Sequence, residues 1–126
     1  GNLTLVVHML GSRYFPDLSD TILVLEETGE EDYRVDRALT ALRLAPEERR
    51  PAGIVLGEFM ECEGTYVSES DMPRFVEHLA EDFEVPVVSG APIGHGEENV
   101  AVPMGAPVTL DAVSGELHFH GTVHGD

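Results

Sequence analysis

Two places in this sequence bring together residue types that can move a proton. "TILVLEE" is an apolar run that ends on two adjacent acids, Glu26 and Glu27. "PIGHG", which follows another apolar run, sets His95 between Gly94 and Gly96. A carboxylate that accepts a hydrogen bond from one imidazole nitrogen fixes the tautomer and leaves the other nitrogen free to act as a base. Glycines on both sides of a histidine indicate a tight, backbone-exposed turn that presents the ring to something. Each group also has a plainer reading. The two acids open the acidic segment "EETGEED" and could simply be solvated, and His95 could be a loop histidine without a role. If the pair is real, the Glu26 carboxylate and the nearer nitrogen of His95 should lie about 2.6 to 3.2 Å apart, with the other nitrogen open to solvent.

Two further groups could carry chemistry. In "HFHGTVH", His118 and His120 are two apart, so on a strand they share a face, and Glu116 or His124 could complete a zinc or copper site. A terminal strand with an outward polar face produces the same string, and the usual closed zinc spacings are absent. Cys62 in "GEFMECEG" is crowded by Glu58, Glu61 and Glu63, which oppose formation of a thiolate, so an inert thiol is expected. A histidine backed by a carboxylate calls for a nucleophile, yet there is no G-x-S-x-G elbow, and none of the serines sits in a comparable strand-to-helix turn. Two-thirds of a triad is visible. No motif calls for a cofactor, and none is expected.

The elements that must position these residues follow from hydrophobic periodicity. Leu3, Val6, Val7 and Leu10 recur at helical spacing, with Asn2 as N-cap and Gly11 as stop. "TILVLEE" and "GIVLGEF" read as strands buried on both faces, and "VPVVSG" as a third short strand. Between them, Val35, Leu39 and Leu42 mark a helix from Asp32 to Leu44 with acid near its start, where the macrodipole favours it. "SESDMPRFVEHLAEDF" predicts a second long helix capped by Ser68 or Ser70, with Val76, Leu79 and Phe83 facing inward. The tail, "APVTLDAVSGELHFHGTV", predicts two strands turning at Ser114 and Gly115. The whole is an α/β fold with a mixed sheet.

At 126 residues and 42% hydrophobic content the chain is a single domain, residues 1–126, large enough to bury a core. Its 24 acids face 7 arginines and no lysine, for a formal charge of -17. Such a surface repels nucleic acid and anionic membranes, so neither is expected as a partner. No apolar run is long enough for a membrane span. One cysteine rules out an internal disulfide and fits a reducing compartment. A chain opening "GNLTLV" is expected to be processed or cut from something longer.

Four segments, "GNLTLVVHMLGSRYFPDL", "ILVLEETGEEDYRVDRALTALRL", "GIVLGEF" and "VPVVSGAPIGHGEENVAVPMGAPVTLDA", occur in an order that resembles the LD-carboxypeptidases, or muramoyltetrapeptide carboxypeptidases. The most specific parts are the strand-then-Glu before "YRVDRAL", and "PIGHG" before "NVAVPMG" and "TLD". The resemblance implies a serine peptidase with a Ser-His-Glu triad split between two domains, of which this chain is the carboxy-terminal one, a swivelling β/β/α-type domain. By motif, the catalytic glutamate falls on Glu26 and the catalytic histidine on His95. Glu27 stands where such enzymes usually carry Asp, and the nucleophile domain is absent. The implied activity is removal of the terminal D-alanine from murein tetrapeptide during cytoplasmic peptidoglycan recycling, by a homodimeric enzyme. The fragment alone would be inactive. Alternatives are a peptidase of the microcin-immunity branch, and a freestanding domain that binds metal through His118 and His120. The net charge opposes an anionic peptide, with Arg13, Arg34 and Arg37 as local relief.

Overall fold

The computed structural model describes residues 1–46 and 50–121. After a short helix, α1 (Leu3–His8), the chain alternates strand and helix: β1 (Ile22–Thr28), α2 (Asp32–Arg43), β2 (Gly53–Met60), α3 (Met72–Glu81) and β3 (Val87–Val88). The three strands form a parallel sheet in the order β1-β2-β3, so α2 and α3 are the two crossovers. A separate antiparallel hairpin, β4 (Val108–Asp111) and β5 (Glu116–Phe119), follows. Parallel and antiparallel pairing are both present as expected, but in two sheets and not in one.

Alternation along β2 explains the layering. Ile54 and Leu56 point into the helix-covered core with Leu25, Val35, Leu39 and Val76, while Val55, one residue out of phase, is buried on the other face. There it meets the hairpin, across a cavity of about 300 Å³ lined by Val55, Val88, Leu110, Leu117 and Phe119. Hairpin, parallel sheet and helices thus stack as β/β/α. Each fully buried aliphatic side chain contributes about 1.5 to 3 kcal/mol, so the strands that carry the acids are rigid supports.

Local signals set only some of the helix ends: α1 stops at His8 with Met9 as its C-cap, short of Gly11, and Glu31 precedes α2 without a side-chain cap bond. Asn2 caps α1 as expected, its Oδ1 accepting from the Leu5 amide at 3.1 Å. Ser68 and Ser70 do not cap α3. A 3-10 turn, Glu69–Asp71, intervenes, and the residue at the helix cap is Asp71, with Pro73 in the first turn. The Ser68 hydroxyl donates to the Asp71 carboxylate at 2.7 Å and is therefore engaged away from the helix amides.

Candidate active site

Glu26 and Glu27 lie at the carboxyl end of β1, where a buried parallel strand hands over to a loop. Successive strand residues face opposite sides, so the two acids part company. The Glu26 side chain, 12% exposed, points to the loop that carries His95. That loop continues the β3 side of the ladder. Along β2, the Ile54 amide donates to the Pro86 carbonyl, the Ala91 amide to the Leu56 carbonyl, and the Glu58 amide to the Ile93 carbonyl at 2.8 Å. Two residues later His95 Nδ1 lies 3.0 Å from Glu26 Oε2, with the histidine side chain 56% exposed. A carboxylate only accepts, so Nδ1 carries the hydrogen, and in the neutral ring that leaves the Nε2 lone pair free.

The glycines around His95 have steric reasons. Gly94 adopts φ +138°, a backbone conformation that residues with a side chain rarely take, and packs over the Cβ atoms of both Glu26 and Glu58. A Cβ on Gly96 would lie 2.1 Å from the Glu58 carboxylate, which accepts the Gly96 N–H at 2.7 Å. Opposite the loop, a Cβ on Gly57 would come within 2.3 Å of the Ile93 carbonyl. Only glycine lets loop and strand approach this closely.

Residues 1–110 match the family model of the LD-carboxypeptidase C-terminal domain. The chain belongs to the LD-carboxypeptidase family. A relative from Synechocystis is 38% identical over 120 residues, covering 94% of this chain and 40% of its own length. The murein tetrapeptide carboxypeptidase of Pseudomonas aeruginosa is 37% identical over 114 residues, 88% of this chain and 36% of that one. Among solved structures, the muramoyltetrapeptide carboxypeptidase of Oxalobacter formigenes superposes with a TM-score of 0.70 at 34% identity, over 86% of this chain and 38% of its own. The microcin C7 self-immunity protein shares the fold, with a TM-score of 0.77 over 97% of this chain and 36% of its own, at 20% identity. The chain therefore spans between a third and two-fifths of the length of these relatives.

Glu27, the family neighbour of Glu26, is 2% exposed and bound on every side. It accepts from Asn2 Nδ2 at 2.6 Å, the Thr4 amide at 2.8 Å and the Thr28 amide at 3.0 Å. Burial pushes its carboxyl up, but these hydrogen bonds and one from the Thr4 hydroxyl outweigh it and hold the group below its ordinary value. Asp32, the first residue of α2, is a second such acid. Its carboxylate accepts from the Tyr33, Tyr66 and Val67 amides at 2.7, 2.7 and 2.8 Å, and these bonds likewise overcome desolvation and lower its pKa.

The other sequence candidates stay apart. His118 Nε2 lies 3.1 Å from Glu116, and His120 Nε2 lies 2.7 Å from the Thr109 hydroxyl. His124 lies outside the described residues. Among the described residues no three His, Cys, Asp or Glu side chains are placed to hold a metal ion. Cys62 is fully buried, and burial pushes its thiol up, with added push from the charges of Glu27 and Glu30 and not from its sequence neighbours. The residue that sequence reasoning passed over is Glu58, read there only as a charge near Cys62. Among the described residues no helix is long and apolar enough to cross a membrane.

Proposed function

We propose that this chain is the glutamate- and histidine-bearing half of a serine LD-carboxypeptidase that removes the terminal D-alanine from murein tetrapeptide. The observation that carries this reading is the 3.0 Å contact between His95 Nδ1 and Glu26, made beside an imidazole left open to solvent. His95 Nε2 would take the proton of a serine hydroxyl as the oxygen attacks the L,D peptide carbonyl. It would then return that proton to the departing D-alanine nitrogen, take one from the water that attacks the acyl group, and pass it to the serine oxygen as the acid product leaves. Glu26 fixes the tautomer and stabilises the imidazolium formed in each step. The serine is assigned to a second, amino-terminal domain. Support comes from the share of its relatives' length that the chain spans, and from Val100 and Met104 just past the histidine loop, which expose apolar surface at 55% and 78%.

The murein substrate is favoured by identities of 37% and 34% to proteins named for that activity. The microcin-immunity likeness is one of fold. A cytoplasmic location and a homodimeric enzyme are part of the proposal through the resemblance to recycling enzymes. The test is release of D-alanine from murein tetrapeptide by residues 1–126 alone and by the same residues joined to a serine-bearing family domain. The expected result is none alone, turnover when joined, and loss of that turnover with His95→Ala. Release by the isolated chain, or a joined enzyme indifferent to His95→Ala, would contradict the proposal.

A further inference from the structure

Pairing between β1 and β2 is irregular at one point. Leu25 is opposite Leu56, but Glu27 is opposite Phe59, so two residues of β2, Gly57 and Glu58, face the single position Glu26. An extra residue of this kind turns a strand locally and re-aims its groups, and here it sits directly beneath the histidine loop. The Glu58 amide donates to the Ile93 carbonyl at 2.8 Å, and its carboxylate accepts the Gly96 amide at 2.7 Å. One residue thereby grips the chain two positions before His95 and one position after it. Residues 93–96 belong to no helix or strand. Among the described residues the other side-chain hydrogen bond to this stretch of backbone, from the Gly94 amide to Asn99 Oδ1, is long at 3.4 Å. Gly57 and Gly96 leave the space these contacts need, and Gly94 supplies the positive φ of the turn.

We propose that Glu58 is a positioning residue for His95: with the Ile93 carbonyl already held by the backbone amide of residue 58, its carboxylate holds the Gly96 amide and so sets the imidazole against Glu26. The inference rests on the reading of Glu26 and His95 as the acid–base pair. What matters is an acceptor at the right distance, so a neutral carboxamide at position 58 should serve as well as the carboxylate.

Imidazole nitrogen spectra and amide hydrogen exchange on residues 1–126 test this. In the parent chain His95 should carry its hydrogen on Nδ1, and the Gly96 amide should exchange about tenfold or more slowly than a free loop amide. Glu58→Ala should bring Gly96 to the free-loop rate and let the Nε2–H tautomer appear, and Glu58→Gln should restore both. Gly96→Ala, whose methyl group would displace the Glu58 carboxylate, should reproduce Glu58→Ala and add nothing to it in the double variant. If Glu58→Ala does not fold, Gly96→Ala and the parent exchange rate decide. The proposal is overturned if Gly96 is unprotected in the parent, if the Nδ1–H form survives Glu58→Ala, or if Glu58→Gln fails to restore it. Failure of the underlying pair looks different. Glu26→Ala would then leave the tautomer unchanged while Gly96 stayed protected.

Discussion

Glu27 accepts hydrogen bonds from Asn2, Thr4 and Thr28, whereas Glu26, one residue earlier on β1, turns its carboxylate to a solvent-open imidazole. The two have the same side chain and both are largely buried, Glu27 the more deeply, and what sets them apart is their donors. Amide donors that cannot titrate make Glu27 a fixed brace between β1 and α1. A partner that gains and loses a proton makes Glu26 a device for steering that proton. Asp32, with its three amide donors, belongs with Glu27.

The largest effect expected from this contrast is catalytic. In the enzyme joined to its serine domain, Glu26→Ala should reduce turnover by about 10³ to 10⁴-fold while changing unfolding free energy by less than about 1 kcal/mol. Glu27→Ala should do the reverse. Stranding the Asn2, Thr4 and Thr28 donors should cost about 3 kcal/mol in urea unfolding, with turnover of the folded fraction within about threefold of the parent. Equal destabilisation by the two substitutions would erase the distinction.

A smaller effect concerns acid. Glu27 and Asp32 both sit below their ordinary values of 4.5 and 3.8 in the folded chain. Their contribution is therefore complete above those values and is lost as pH falls through the lower folded ones. Stability measured from pH 7 to pH 2 should fall in that acid range, and Glu27→Gln should flatten the fall. A steeper fall in Glu27→Gln would contradict the assignment. The smallest effect belongs to the hairpin. Replacing His118 and His120 together by Ala should change stability by less than about 0.5 kcal/mol, and elemental analysis of the untagged chain should find no stoichiometric zinc or copper. Stoichiometric metal lost in that variant would restore the hairpin as a site.

Much of this was legible because periodicity reports burial. The apolar run starting at Gly53 could be read as a strand buried on both faces, whereas in the run ending at Glu27 Leu23 and Leu25 are buried but Ile22 and Val24 only half-buried, because β1 is an edge strand. Pairing register was not legible. The extra residue of β2 that brings Glu58 under the loop exists only once β1 and β2 are aligned, so Glu58 appeared as one more charge in an acidic chain. The Ser68 cap failed for a related reason: its hydroxyl had a competing acceptor in Asp71, which spacing alone does not rank against the helix amides. Glu27 looked like an ordinary acid in an acidic run, because nothing local announces that Asn2 and Thr4, over twenty positions earlier, will supply its donors.

The most direct test of the central claim is the nitrogen spectrum of the His95 imidazole at neutral pH, in the parent chain and in Glu26→Ala. The account predicts hydrogen on Nδ1 and a free Nε2 in the parent, with the Nε2–H form taking over once the carboxylate is removed. A parent imidazole already in the Nε2–H form, or a spectrum that Glu26→Ala leaves unchanged, would mean that Glu26 does not orient a base.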